Sequence, residues 1–184
     1  MKLAYCIPGK VYWIHDFLGR DMYQGLHHAI FKSRHKLNLH EARTHWDPHL
    51  TAHVKSPLKV EVKEYAPFET LKVLLKHNPY CPVKSKVDKI HTIIHCLEKN
   101  SAIQWHDDGN YTYGATYYLN NRWHNTWGGE FMFKIDKSHG FIEPRGNSLV
   151  IVKTPVQHKV NAVTSPILPR VSIQMFVVGG DSKK

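Results

Sequence analysis

Trp105-His106-Asp107-Asp108-Gly109, closing the run Ala102-Ile103-Gln104, is the stretch that decides how the second half of the chain is read. On an extended backbone residues i and i+2 share a face, so His106 and Asp108 point together while Asp107 points away. A further histidine, His158, lies 50 residues beyond Asp108 (158 − 108) within Pro155-Val156-Gln157-His158-Lys159-Val160, another β-prone run. A strand there can return beside the first pair.

Around this stretch the chain changes character. From residue 102 onward short β-rich runs alternate with Gly, Asn and Pro: Ala115 to Leu119, Glu130 to Ile135, Ser148 to Thr154, His158 to Val163 and Val171 to Val178. Many short strands with turn signals between them predict a sandwich or barrel such as a jelly roll. Upstream, Val11 to Leu18 reads as a strand, Gly19-Arg20-Asp21 as a turn and helix N-cap, and Met22, Leu26, Ala29 and Ile30 recur at helical spacing to about Phe31. The stretch from His35 to Pro57 is polar and without period. Leu58 to Tyr65 alternates as a half-buried strand does, and Pro67 to Leu75 turns helical before Pro79 and Pro82. Ile90 to Leu97 fits either a helix or a strand, and periodicity does not decide between them. The fold class expected is α+β, mainly β, with helices in front of a jelly-roll core.

With 184 residues there is material for one sizeable core and not for two, so a single domain over 1–184 is expected. No apolar run approaches the ~20 residues of a membrane span, and Met1 to Gly9 does not read as a secretory signal. Three cysteines, Cys6, Cys81 and Cys96, make neither a paired framework nor a CxxC motif and suit a reducing, cytoplasmic setting. The net charge of +10 favours an anionic partner such as a nucleic acid or an acidic metabolite. A solvated basic surface explains the same excess, which gathers at Lys32, Arg34, His35 and Lys36 and again at Lys84, Lys86 and Lys89.

Two neutral imidazoles and one carboxylate on one side of a metal leave three adjacent positions open, the arrangement of non-haem Fe(II) oxygenases. Zinc more often takes a closed tetrahedral set. Among fifteen histidines a His-x-Asp also arises by chance, so the motif alone is weak. The ordered motifs downstream of it add weight.

Residues 103 to 177 carry, in sequence, His106-Asp107-Asp108, Tyr117-Tyr118-Leu119-Asn120, Trp127-Gly128-Gly129-Glu130-Phe131, Pro144-Arg145-Gly146-Asn147, His158, and Arg170-Val171-Ser172. This order resembles the Fe(II)/2-oxoglutarate dioxygenase superfamily, most closely its small prolyl-hydroxylase-like branch of bacterial or phage type. The resemblance implies a double-stranded β-helix (jelly-roll) core with N-terminal helices packed on one sheet, a core strand over Ile90 to Leu97, and an iron held by His106, Asp108 and His158. It implies that Arg170 pairs with the distal carboxylate of 2-oxoglutarate, a role suited to the bidentate fork of a guanidinium, with Tyr118 helping. It also implies Fe(II), 2-oxoglutarate and O2 as cofactor and cosubstrates, with ascorbate as a stimulant. The substrate it implies is a prolyl residue of a protein or peptide. Nucleic acid, another side chain or a metabolite are the alternatives, and the cytoplasm of a bacterium or of a phage-infected cell is the expected location.

Two departures stand out. The stretch from His158 to Arg170 is longer than the family's, with Ser165 to Pro169 inserted, and where some prolyl hydroxylases place a cosubstrate-contacting tyrosine this chain has His95-Cys96-Leu97-Glu98. The remaining candidates have plain readings beside the functional ones. Trp123, His124, Trp127 and Phe176 either shape a substrate mouth or pack the barrel, with Phe176 on the Arg170 face because 170, 172, 174 and 176 alternate inward, and His91 and His95 are core or surface histidines because HExxH is not met.

Overall fold

The computed structural model describes residues 1–33, 58–61, 66–80 and 89–179. The expectations for His35 to Pro57 and Val62 to Tyr65, and the basic residues Arg34, His35, Lys36, Lys84 and Lys86, lie outside them. Two antiparallel sheets make the core. The larger is ordered β1 (Lys2–Ile7), β2 (Val11–His15), β9 (Ser148–Lys153), β6 (Tyr113–Tyr118), β11 (Arg170–Val178), β4 (Lys89–Leu97) and β3 (Leu58–Glu61). The smaller is ordered β5 (Ile103–His106), β10 (His158–Val160), β7 (Phe131–Ile135) and β8 (Ser138–Ile142). The strand order is that of a double-stranded β-helix, mainly β with helices on one side, as expected.

Period-two alternation along the strands divides the apolar residues between two layers. On β11 the side chains of Val171, Ile173, Met175 and Val177 join Ala115, Tyr117, Leu149 and Ile151 in one cluster on the outer face of the larger sheet. Against that face lie α1 (Arg20–Ser33), through Leu26 and Ile30, and α2 (Ala66–His77), through Phe68, Leu71 and Leu75. Leu71 and Leu75 have no exposed surface, and burial of this kind stabilises by roughly 1.5–3 kcal/mol per side chain. Met22, expected on the inner stripe of α1, is exposed instead, and Tyr23 packs in. Asp21 lies in the first turn of α1 rather than at its cap, where its carboxylate still complements the helix dipole.

Ile90 to Leu97 resolves as a strand. Most of β4 is buried on both faces, which erases the alternation that would have revealed it. Two strands went unread: β1, which hairpins onto β2, and β8, which hairpins onto β7.

One buried side chain ties the front of the chain to the barrel. Asn147, at φ 57, accepts hydrogen bonds at Oδ1 from Leu18 N and the Tyr117 hydroxyl, both at 2.9 Å, and donates from Nδ2 to Leu18 O at 3.0 Å. The Tyr23 hydroxyl donates to Leu119 O at 3.1 Å. Burial pushes the Tyr23 phenol up to about 12 and that of Tyr117 higher still. An unfolded tyrosine ionises near ~10, so the folded state holds these protons longer and the stability they contribute is lost as pH rises above that value. The urea midpoint is therefore expected to fall more steeply between pH 9 and 11 in the natural chain than in Tyr117→Phe; parallel slopes would contradict this.

Candidate active site

The β10–β5 ladder sets His158 directly opposite His106, and both rings point between the sheets. Each ring is fixed from behind. His106 Nδ1–H donates to Gln104 O at 2.7 Å and His158 Nδ1–H to Val156 O at 2.9 Å, which leaves both Nε2 lone pairs facing inward. Asp108 joins them: its Oδ1 is 4.0 Å from His106 Nε2 and its Oδ2 is 3.7 Å from His158 Nε2. One ligand atom from each of the three lies within 4.8 Å of the others. The Asp108 Oδ2 atom is buried without a hydrogen-bond partner, and burial holds His158 toward its neutral form, outweighing the opposing pull of Asp108. Two imidazole Nε2 atoms and an unsatisfied carboxylate oxygen aimed at one point fit a divalent cation. Asp107 lines the same cavity but does not join the cluster, its Oδ2 accepting from Gln157 Nε2.

Facing the triad, the larger sheet presents a grid of inward side chains. Along β11 these are Arg170, Ser172, Gln174 and Phe176; in register beside them stand His95 and Tyr118 at Ser172, Thr116 at Gln174, and His91 and Gly114 at Phe176. Arg170, Ser172, Gln174, Phe176, His95 and Thr116 line, with the triad, one cavity of about 340 Å³.

Arg170 is 1% exposed. Its Nη1 donates to Ser172 Oγ and its Nη2 to the Tyr118 hydroxyl, each at 3.3 Å, and the guanidinium stands 4.9 Å from the Tyr118 ring centre. Nε has no partner, and among the described residues no carboxylate lies within 4 Å of this cation. A buried charge left this way is costly unless an anion enters. The long approach to Arg170 closes on itself, since Ser165 Oγ accepts from Leu168 N at 3.0 Å and Asn120 binds both Pro169 O and Val171 N.

Two glycines make room. A Cβ on Gly129, at φ 73, would meet the Arg170 side chain, and one on Gly114 would meet the carboxylate of Asp108. Gln174 Oε1 accepts from Thr116 Oγ1 at 2.5 Å, so its amide nitrogen is turned toward the same space.

Of the residues singled out from sequence, Tyr118 is buried behind this cavity and touches Arg170, while His106, Asp108, His158, Arg170 and Phe176 line it. Trp123, His124 and Trp127 do not: they line a different cavity. His95 and Thr116 were not foreseen as part of the site, whereas Ser172 and Gln174 were expected only to alternate inward with Arg170 and Phe176, without a role. For the latter two the signal was present in β11, where polar residues alternate with apolar ones in a strand that is otherwise almost fully buried. Tyr111 stacks on Phe176 at 4.7 Å and forms an apolar wall at the end of the cavity away from Arg170.

Fold and site together define a class: a jelly roll with two histidines and a carboxylate converging between its sheets, beside a buried arginine. Residues 92–178 match the model of the 2OG-Fe(II) oxygenase superfamily. Among solved structures the chain is similar to a Pseudomonas putida prolyl-4-hydroxylase, with a TM-score of 0.71 at 14% identity over 93% of each chain. It is also similar to a Trichoplax adhaerens prolyl hydroxylase in complex with a hypoxia inducible factor peptide fragment, with a TM-score of 0.69 at 12% identity over 93% of this chain and 84% of that one. A third is the non-heme alpha ketoglutarate dependent epimerase SnoN from nogalamycin biosynthesis, with a TM-score of 0.63 at 12% identity over 92% and 78%. No protein of curated function matches the chain by sequence. At these identities the neighbours establish the fold. The superfamily implies Fe(II), 2-oxoglutarate and O2.

Gly114→Ala tests how tightly the cluster is built. The new methyl meets the carboxylate end of Asp108 and, more loosely, the Gln174 amide nitrogen, both side-chain ends rather than backbone, so the thermal midpoint of the metal-free chain is expected to fall far less than divalent-metal affinity, which drops on the order of 10–100-fold. Undiminished metal binding in this variant would show that Asp108 is not held where the cation sits.

Proposed function

We propose that the chain is an Fe(II)- and 2-oxoglutarate-dependent dioxygenase that hydroxylates a C–H bond of a prolyl residue in a protein. His106, Asp108 and His158 hold the iron, and Arg170 with Tyr118 holds the far carboxylate of 2-oxoglutarate. The observation that carries the reading is the fully buried Arg170 cation, without a carboxylate partner among the described residues, in the same cavity as the two-histidine, one-carboxylate cluster. When bound, iron with 2-oxoglutarate and O2 supplies the oxidising chemistry: substrate C–H, 2-oxoglutarate and O2 become C–OH, succinate and CO2.

The chain's own part is placement. Arg170 exchanges a costly unpaired charge for a forked, charge-assisted pair, and Ser172 and Tyr118 already aim its two terminal nitrogens. Burial keeps the Tyr118 phenol protonated, so it remains able to donate to a carboxylate oxygen. From Arg170 to Phe176 is six residues, about 20 Å of strand, so the anion sits at one end and the substrate enters at the other. There the stacked Tyr111 and Phe176 offer a flat apolar face suited to a pyrrolidine ring, and Phe131, stacked on His158 at 5.2 Å, helps keep water from the metal. The peptide-bearing neighbour and the superfamily match support the peptide substrate. With three cysteines that make neither a paired framework nor a CxxC motif, we include a reducing, cytoplasmic location in the proposal.

The test offers proline-containing protein fragments and single-stranded oligonucleotides in parallel, with Fe(II), 2-oxoglutarate, ascorbate and O2, following succinate and product mass. Oxygen is expected in the peptide. Oxygen found only in the oligonucleotide would overturn the prolyl substrate and leave the oxygenase standing. Ala at His106, Asp108 or His158 is expected to abolish succinate formation, and full activity of Asp108→Ala would sink the metal assignment. Arg170→Ala is expected to weaken 2-oxoglutarate use by about 2–5 kcal/mol with metal binding retained.

A further inference from the structure

A second cavity, of about 490 Å³, lies between the loop that joins β6 to β7 and the turn that leads into β9. It shares no lining residue with the cavity of the metal cluster. Three charged side chains face it. Arg122 and Arg145 are both exposed, and among the described residues no carboxylate lies within 4 Å of either guanidinium. Glu143, on the same wall, makes no ion pair among the described residues either. Arg145 Nη1 does have a partner, His15 Nδ1 at 3.2 Å, but an imidazole that accepts is neutral, so it positions the guanidinium without cancelling its charge.

The fourth feature is flat. Trp127 is half-buried and meets Trp123 edge-on at 5.5 Å, and the Trp123 indole N–H is anchored to Gly128 O at 2.9 Å. The loop carrying these rings is pinned to the segment after β10: Thr164 N donates to Trp127 O at 2.7 Å and Thr164 Oγ1 to Thr126 O at 2.9 Å. The cleft is thus preformed rather than assembled by its occupant, which lowers the ordering cost of binding. Isolated surface arginines are usually solvated and idle. Two uncompensated guanidiniums, an unpaired carboxylate and an indole around one cleft of ligand size ask for a molecule with an anion, a plane and a hydrogen-bond donor.

We propose that this cleft is a second binding site, for a mononucleotide: its phosphate on Arg122 and Arg145, its base against Trp127, and a base amino group or ribose hydroxyl donating to Glu143. Guanidiniums suit phosphate because their forked donors match its oxygens, and an indole suits any base because stacking needs only a π-face. The site stands apart from the oxygenase chemistry and does not depend on it.

The experiment titrates the full chain with inorganic phosphate, adenosine and adenosine monophosphate by calorimetry, with and without excess 2-oxoglutarate. The expected result is one saturable site for adenosine monophosphate, unaffected by 2-oxoglutarate and about tenfold or more tighter than for either fragment. Arg122→Ala and Arg145→Ala, both at exposed positions, are expected to weaken it at least about tenfold with unchanged circular dichroism. Trp127→Tyr retains part of the advantage over phosphate, because a smaller ring still stacks. The proposal is overturned by unsaturable binding, by indifference to both arginine variants, or by competition from 2-oxoglutarate with loss in Arg170→Ala, which would put the anion in the other cavity.

Discussion

The register of a single short ladder governs everything in the first cavity. With His158 opposite His106, both imidazoles face inward and their strand neighbours, Lys159 and Trp105, face out, where the Lys159 and Lys134 ammoniums stand 5.4 and 4.0 Å from the Trp105 ring centre. A slip of β10 by one residue would turn Lys159 inward and His158 outward, burying a charge and dismantling the cluster. The outer cation–π contacts therefore oppose the wrong register as much as the inner face rewards the right one. The β7 pairing adds a second lock, because His158 also sits opposite Phe133 and stacks on Phe131.

Given that register, the opposing sheet had to supply polar groups without losing its own stability, and alternation along β11 is how it does so. Odd residues from Val171 to Val177 carry the helix-side core; even residues from Arg170 to Phe176 carry the cavity. The two tasks sit on opposite faces of one backbone. Where inward space was short the chain uses glycine, at Gly114 beneath Asp108 and at Gly129 beneath Arg170.

This division explains what could be read from sequence. The triad and Arg170 were legible because each is a chemically distinctive residue in an ordered series, and the fold brings the three candidate ligands within 4.8 Å of one another. Arg170 was legible for a second reason: a cation opening an apolar strand needs an anion. The strand at Ile90 to Leu97 was not legible from periodicity, since a strand buried on both faces has no alternation to detect; the resemblance alone implied a strand there, and neither reading gave His95 a place in the cavity. The strand Ser138–Ile142 was hidden by the opposite fault, for only Ile142 of its five residues is buried. Trp123 and Trp127 lie in a loop, where no period says which way a ring turns, and they line the second cavity rather than the mouth of the first.

The buried Arg170 is the point at which stability and function conflict. Its desolvation opposes the charge, Tyr118 and Glu130 favour it only in part, and Nε remains without a partner. Replacing such a cation with an apolar side chain is often neutral or stabilising in proteins that have no use for it. Its retention at the head of β11 makes sense if the missing partner arrives from solution. An occupant carrying a carboxylate then gains the pairing energy and relieves the protein of an unpaired charge at the same time. Selection among occupants follows from the same geometry. A neutral molecule leaves the guanidinium unsatisfied, while an anion paired with Arg170 extends its other end into the cavity that His106, Asp108 and His158 also line.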